Sequence, residues 1–230
     1  MDMSFYRRGL IFILYIVLLS SCSNITIFST PTPEPLSSWI QKWLNDPSCQ
    51  PPCWEHLVPG ETNIQDGAEI LSHVSDVKIT WYPTTNPGTG YQQVMWDFVN
   101  PGEGGAATTE KNGQEIATIS LMISDTQRLT IEQVFSSYGF PSDILLYDCR
   151  GEITAKACAV HLIYKNGMAL ELLLPDEGKN THEVTIQKNS KVERIWFFPL
   201  SDNSYGEAIG MNSGYFPQYL VAWRDFGPYP

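Results

Sequence analysis

The chain has 230 residues, with 14 Lys plus Arg against 25 Asp plus Glu and a formal net charge of −11. Its hydrophobic fraction of 43% is enough to build a packed core, so wholesale disorder is excluded. A pI near 4.7 argues against nucleic-acid binding and against electrostatic docking on anionic lipid, because both need a basic surface. The length allows one large domain or two small ones.

Residues 1–21 have the pattern of a secretory signal peptide. A basic pair at 7–8 precedes an apolar run at 9–19, which is shorter than the roughly 20 residues that cross a bilayer. The following Leu19-Ser20-Ser21-Cys22 resembles the bacterial lipobox, in which the cysteine thiol is alkylated by diacylglycerol and becomes the first mature residue. The pattern predicts a lipid-anchored protein at the cell membrane or cell surface, on the extracytoplasmic side, with lipidation at Cys22. The alternative is an ordinary signal peptide with a chance cysteine.

Residues 22–38 are predicted to be the lipidated cysteine and a tether. The segment is rich in Ser, Thr and Pro and shows neither helical nor strand periodicity. Proline stiffens such a chain, so it would hold the folded part away from the bilayer.

The four remaining cysteines are predicted to form two local disulfides, since an even number in an exported chain favours oxidation. The spacing suggests the pairs Cys49–Cys53 and Cys149–Cys158. A metal site built from Cys49, Cys53 and His56 is the alternative. Zinc needs four ligands, however, and the sequence has no second Cys or His pair at matching spacing, so no metal is predicted.

Residues 39–56 are predicted to be an N-terminal helix followed by the Cys loop. Ser38 and Gln41 have the spacing of a capping box for a helix over 39–46, which Pro47 ends. Trp39 and Trp43 lie on one face of this helix. We expect that face to pack on its own domain, and insertion into the membrane interface is the alternative.

Residues 57–125 are predicted to be a first α+β module. Thr62 and Gln65 form a second capping-box pattern for a helix over 64–71. The Asn112-Gly113 pair between alternating runs is a strong hairpin signal. The predicted strands are 77–82, 92–99 and 114–123.

Residues 126–230 are predicted to be a second α+β module, in which a capped helix again precedes antiparallel strands. Thr130 with Gln133 is predicted to cap a helix over 131–138, and Gly139 ends it. An aromatic C-terminal segment at 215–230 is predicted to cover the core. The predicted strands are 143–147, 157–165, 168–174, 182–187 and 192–198. The predicted fold is therefore α+β, with two tandem helix-plus-antiparallel-meander modules and the helices on one sheet face.

Three short motifs resemble known bacterial lipoproteins. Leu57-Val58-Pro59-Gly60-Glu61-Thr62 resembles the L-x-P-G-x-T opening shared by the small lipoprotein subunit of the outer-membrane β-barrel assembly machine and the β-lactamase inhibitor protein. Thr130-x-x-Gln133-Val134 with Gly139-Phe140-Pro141-Ser142 is similar to the T-x-x-x-V…G-x-P segment of that module, and Cys53-Trp54 resembles the P-C-W segment of uncharacterised lipoproteins. The resemblance implies that an open sheet face binds a protein partner and that the domain is not catalytic.

No catalytic motif or cofactor site is predicted. The sequence contains no G-x-S-x-G, H-E-x-x-H or G-x-x-x-x-G-K-[ST] pattern. Residues 102–107 match the letters of G-x-G-x-x-A, but no helical pattern follows them as a dinucleotide site requires. This segment is therefore predicted to be a flexible loop.

Two functions of different class remain open. The first is a lipid-anchored protein-binding or scaffolding domain, whose partner is an unidentified envelope or extracellular protein. The alternative is an envelope hydrolase or a glycan-binding protein that uses carboxylates and aromatic side chains in a cleft. Three strand tryptophans are the candidate binding residues, with burial in the core as the competing expectation: Trp81, Trp96 and Trp196.

Overall fold

Three helices and two antiparallel sheets make up the regular structure of the described residues. The structure, a computed structural model, describes residues 35–85, 90–124, 129–147, 157–175, 184–200 and 220–229. Its helices are α1 (Ser38–Asn45), α2 (Ile64–Ser72) and α3 (Ile131–Tyr138). None of these helices is long and apolar enough to cross a membrane. All three helices predicted from the sequence are present.

The larger sheet has nine strands in the order β1-β2-β3-β4-β9-β7-β6-β5-β10, and β8 pairs with β11 in a small second sheet. The described residues from 35 to 229 belong to one compact unit. The predicted α+β class is confirmed, with more strand than helix. The strands are β1 (Val77–Thr85), β2 (Gln92–Phe98), β3 (Gly104–Thr109), β4 (Ile116–Met122), β5 (Asp143–Tyr147), β6 (Ala157–Tyr164), β7 (Met168–Pro175), β8 (Val184–Ile186), β9 (Arg194–Phe197), β10 (Leu220–Ala222) and β11 (Gly227–Tyr229).

Side chains from all three helices share one hydrophobic core with one face of the large sheet. The indole of Trp39 in α1 stacks on Phe98 of β2, with ring centroids 4.5 Å apart. One turn later, Trp43 meets Phe197 of β9 edge-on at 6.3 Å. Both tryptophans are buried, so the apolar face of α1 packs on its own domain and is not available for a membrane interface.

Two of the three predicted helix caps differ from the expected ones. Ser38 is the first residue of α1, and its hydroxyl donates to Asp76 beside β1 (2.7 Å). At α2 the cap is Asn63, whose side-chain oxygen accepts from the backbone N–H of Gln65 (2.9 Å). The hydroxyl of Thr62 instead accepts from the backbone of the preceding turn. Both differences shift the cap by one residue, which changes no helix face.

The predicted cap of α3 is confirmed. Gln133 reaches back to accept the backbone N–H of Thr130 at 2.9 Å, which completes a capping box. Gly139 follows the helix with a φ of 76°, a conformation that glycine adopts without steric cost.

The prediction of a flexible loop over residues 102–107 is wrong from residue 104 onward, because strand β3 begins there. Trp96 on β2 is the cross-strand partner of Gly105, and a Cβ at Gly105 would overlap the indole. Trp54 stacks on Trp96 with centroids 5.2 Å apart. Glycine is needed at this point because an aromatic ring occupies the space above it.

The two halves of the large sheet follow the same order of elements. In the first half, α2 precedes the meander β1-β2-β3-β4; in the second, α3 precedes β5-β6-β7-β9, with β8 inserted in the last connection. The final strands of the two meanders, β4 and β9, pair antiparallel at the centre of the sheet. The sheet is therefore continuous across both halves.

Each helix is also joined to the last strand of its own half in the same way. The cap residue of α2, Asn63, forms an isolated antiparallel bridge with Glu115 just before β4. The cap residue of α3, Thr130, forms the same bridge with Lys191 before β9. The first helical N–H donates across each bridge, from α2 to the carbonyl of residue 114 (2.8 Å) and from α3 to that of residue 190 (3.1 Å).

Candidate binding face of the sheet

The face of the large sheet opposite the helices carries a row of five residues across five neighbouring strands. These residues are successive cross-strand partners, so their side chains point to the same side. In order from β1 to β9 the exposed-face row, as we call it, is Trp81, Met95, Ala106, Ser120 and Trp196. The first two side chains are well exposed, Trp81 at 56% and Met95 at 41%.

A β-bulge in β1 places Trp81 on this face. Ile79 pairs with Trp96, which belongs to the core, whereas Trp81 pairs with Met95 on the opposite face. In a regular strand, residues 79 and 81 would lie on the same side. The extra residue, Thr80, reverses the alternation and turns Trp81 toward solvent.

The side chains toward the two ends of the row are large, and those at its centre are small. Its centre consists of the small side chains of Ala106 on β3 and Ser120 on β4, and the larger Met95 and Trp196 lie on the strands to either side. Beside Ser120 on the same face, Met122 is 46% exposed. We call this feature the sheet groove; its floor is β3 and β4, and its walls are β2 and β9. Three strand spacings separate the walls, about 14 Å between backbones.

Trp196 is held in place by a charged pair on the same face. Its indole N–H donates to a carboxylate oxygen of Glu171 on β7 at 3.0 Å. The guanidinium of Arg194 lies over the indole, 5.2 Å from its centroid, and is 3.6 Å from the same carboxylate. Two contacts of different kinds thus fix the ring, which lowers the entropy that this side chain would lose on binding a partner.

The exposed part of the row ends at Trp196. Ala169, the partner of Trp196 on β7, is buried, as are Leu145, His161 and Ile163 on β5 and β6, whereas Leu173 on the same face of β7 is 52% exposed. Burial lowers the pKa of His161 to about 4; the neighbouring Glu171 carboxylate acts in the opposite direction and Arg194 in the same one. His161 is therefore neutral at pH 7 and belongs to the packing of the sheet.

The structure separates the three candidate tryptophans. Trp81 and Trp196 lie at the two ends of the exposed-face row. Trp96 is 1% exposed, between Trp54 and Gly105, so it supports the core and cannot touch a partner. Sequence reasoning missed Met95 and Met122. Alternation along β2 puts Met95 opposite the buried Val94 and Trp96, a signal that the pattern does carry.

The disulfide between Cys49 and Cys53 is confirmed, with an S–S distance of 2.09 Å. Both sulfurs are consumed by this bond, which removes the alternative metal site with His56. No group of three or more His, Cys, Asp or Glu among the described residues is arranged to hold a metal ion. Cys22, Cys149 and the side chain of Cys158 lie outside the part that the structure describes.

Comparisons with protein-family models, with curated proteins and with solved structures find no match to this chain.

Proposed function

We propose that this chain is a lipid-anchored, extracytoplasmic protein-binding domain, and that its partner docks on the exposed-face row. The observation that carries the proposal is the solvent exposure of Trp81, Met95 and Met122 on one face of a folded sheet. Aromatic and methionine side chains are enriched at protein interfaces, and clustered apolar exposure is unfavourable unless something covers it.

The anchoring part of the proposal rests on the lipobox-like motif that ends at Cys22 and on the Pro/Ser/Thr-rich tether after it. An N-terminal lipid would leave the folded part free to reach a partner in the envelope or outside the cell. A chain with a net charge of −11 gains nothing from anionic lipid itself, so the acyl chains would supply the attachment.

We also propose that the two halves of the sheet are tandem copies of one module. The repeated strand order and the matching bridges at Asn63 and Thr130 support this. The central register supports it as well. Ser120 pairs with Trp196, and each lies five residues after the bridging residue of its own half, Glu115 and Lys191 respectively. Likeness to the small lipoprotein subunit of the β-barrel assembly machine and to the β-lactamase inhibitor protein is part of the same proposal.

Site-specific photo-crosslinking in the cells that produce the protein tests the binding face. A photoreactive residue at position 95 or 122 should give the same protein adduct, because both positions face the groove. The matched controls are positions 65 and 69, which are exposed on the opposite side of the sheet, on α2. Adducts that are equal at all four positions, or absent at 95 and 122, would contradict the proposal.

A further inference from the structure

We infer that the element which docks in the sheet groove is an amphipathic α-helix with basic residues beyond one end of its apolar stripe. The inference rests on the proposed function and specifies the partner of the same site.

The width of the groove fits the apolar face of a helix. The backbones of its walls are about 14 Å apart, and the side chains of Met95 and Trp196 occupy part of that distance, so the space between them admits the apolar stripe of a helix and not its full diameter of about 10–12 Å. The low floor at Ala106 and Ser120 leaves room for the apolar stripe between Met95 and Trp196. An extended peptide would pair with a free strand edge, and the groove offers none, because the strands beneath it are hydrogen-bonded on both sides.

The length of the groove sets the length of the helix. The groove runs along β3, whose six residues span about 20 Å. A helix of about 13 residues covers that distance. Met122, at one end of the floor, has the flexible thioether side chain that adapts to different apolar partners.

Charge distribution specifies one end of the helix. At the start of β3, Asp97 lies across from Lys78 of β1, and Arg194 lies across from Met122 on the same face, so this end carries charges of both signs. The turn after the other end of β3 carries Glu110 and Glu115, with Lys111 as its one basic residue, and is net acidic. Both carboxylates are exposed, and neither forms an ion pair with another described residue. Lys or Arg side chains at the end of a docked helix that lies over this turn would complement them.

A library of random 16-residue peptides, selected for binding to the full-length chain in detergent, tests the inference. The selected peptides should share apolar residues at i, i+3 or i+4, and i+7, with Lys or Arg toward one end. Their binding should weaken by at least about tenfold when Met95→Arg fills one wall of the groove. Ala106→Arg, on the floor, gives an independent block if the first variant folds poorly.

Two matched double variants test the role of the carboxylates at Glu110 and Glu115. Glu110→Lys with Glu115→Lys should weaken the selected peptides by about tenfold at low salt and less at high salt. Asp66→Lys with Glu69→Lys changes the net charge equally at exposed sites on α2, on the opposite side of the sheet, and should have little effect. Equal weakening by both pairs would overturn the assignment of the basic end.

The outcomes separate this inference from the proposed function. Selected peptides that are blocked by Met95→Arg but show alternating apolar residues, or no helical period, would overturn the helix while leaving the binding face in place. If Met95→Arg and Ala106→Arg leave binding of every selected peptide unchanged, or if no peptide is selected, both proposals fail.

Discussion

The indole of Trp96 lies over Gly105 of the neighbouring strand, at a point where no side chain fits. We therefore expect Gly105→Ala to destabilise the protein by about 2 kcal/mol, within the range for overpacking a closed core. Urea denaturation of the variant against the wild type measures this. Ala106→Ser is the control, since it changes the next residue of β3 on the open face. Similar midpoints for Gly105→Ala and the control would show that Trp96 can move aside.

His56→Gly should stabilise the protein by about 0.5–1 kcal/mol. Trp54 and Leu57 exchange two backbone hydrogen bonds, and the two residues between them, Glu55 and His56, have positive φ angles of 48° and 65°. This conformation is unfavourable for residues with a Cβ, and the His56 side chain is exposed, so little contact is lost.

Glu55→Gly is the informative comparison for that turn. Glu55 has the same backbone strain, but its carboxylate pairs with Lys42 at 2.6 Å. The substitution should therefore stabilise less than His56→Gly, or destabilise. If thermal unfolding shows the opposite order, backbone strain at residue 56 is not what limits the stability of the loop.

The neutral state of His161 should make the folded protein less stable in mild acid. Its pKa is about 4 in the folded state, and the ordinary value is 6.5. Between these values the unfolded chain binds more protons, so stability rises with pH over that range and is fully present above pH 6.5. The contribution lost between pH 7 and pH 4 is about 3 kcal/mol at most. Denaturation midpoints at pH 7, 5.5 and 4 should fall less steeply for His161→Gln; parallel curves would contradict the assignment.

Cys22→Ala should release the protein from membranes or leave the precursor uncleaved, because the variant lacks the thiol that would carry the lipid. Membrane fractionation and the mass of the N-terminal peptide measure this. Cys22→Ser, which keeps the size of the side chain, should behave the same way. Normal processing with unchanged detergent partitioning would exclude lipidation at this residue.

The pairing of Cys149 with Cys158 remains a prediction that non-reducing peptide mapping can test. Because Cys49 is bonded to Cys53, and the proposed lipid would occupy the thiol of Cys22, Cys149 and Cys158 have only each other as partners within the chain. A peptide that contains both residues in disulfide linkage is expected. Free thiols at both positions would show the prediction wrong.

The helices could be predicted from residues close together in the sequence. The exposed and buried positions in the sheet depend on contacts between residues far apart, which the sequence alone does not reveal. The capping box at Thr130 and the apolar spacing of Ile131 and Val134 lie within one short segment, so the sequence alone predicts helix α3. The exposed position of Trp81 depends on a bulge that only pairing with β2 reveals, and Gly105 reads as a loop residue until Trp96 is placed above it. The groove was beyond prediction, since β9 meets β4 across 71 intervening residues between Met122 and Arg194.

The central pairing of β4 with β9 also bears on how such a chain could arise. If the halves are copies, as proposed, a single module would leave the outer edge of β4 unpaired. Antiparallel pairing around Ser120 is the arrangement that a two-fold homodimer of that module would adopt. Joining both copies in one chain makes the pairing intramolecular and independent of protein concentration. It also allows the two residues that pair at the former symmetry axis to become different, and here they are Ser120 and Trp196.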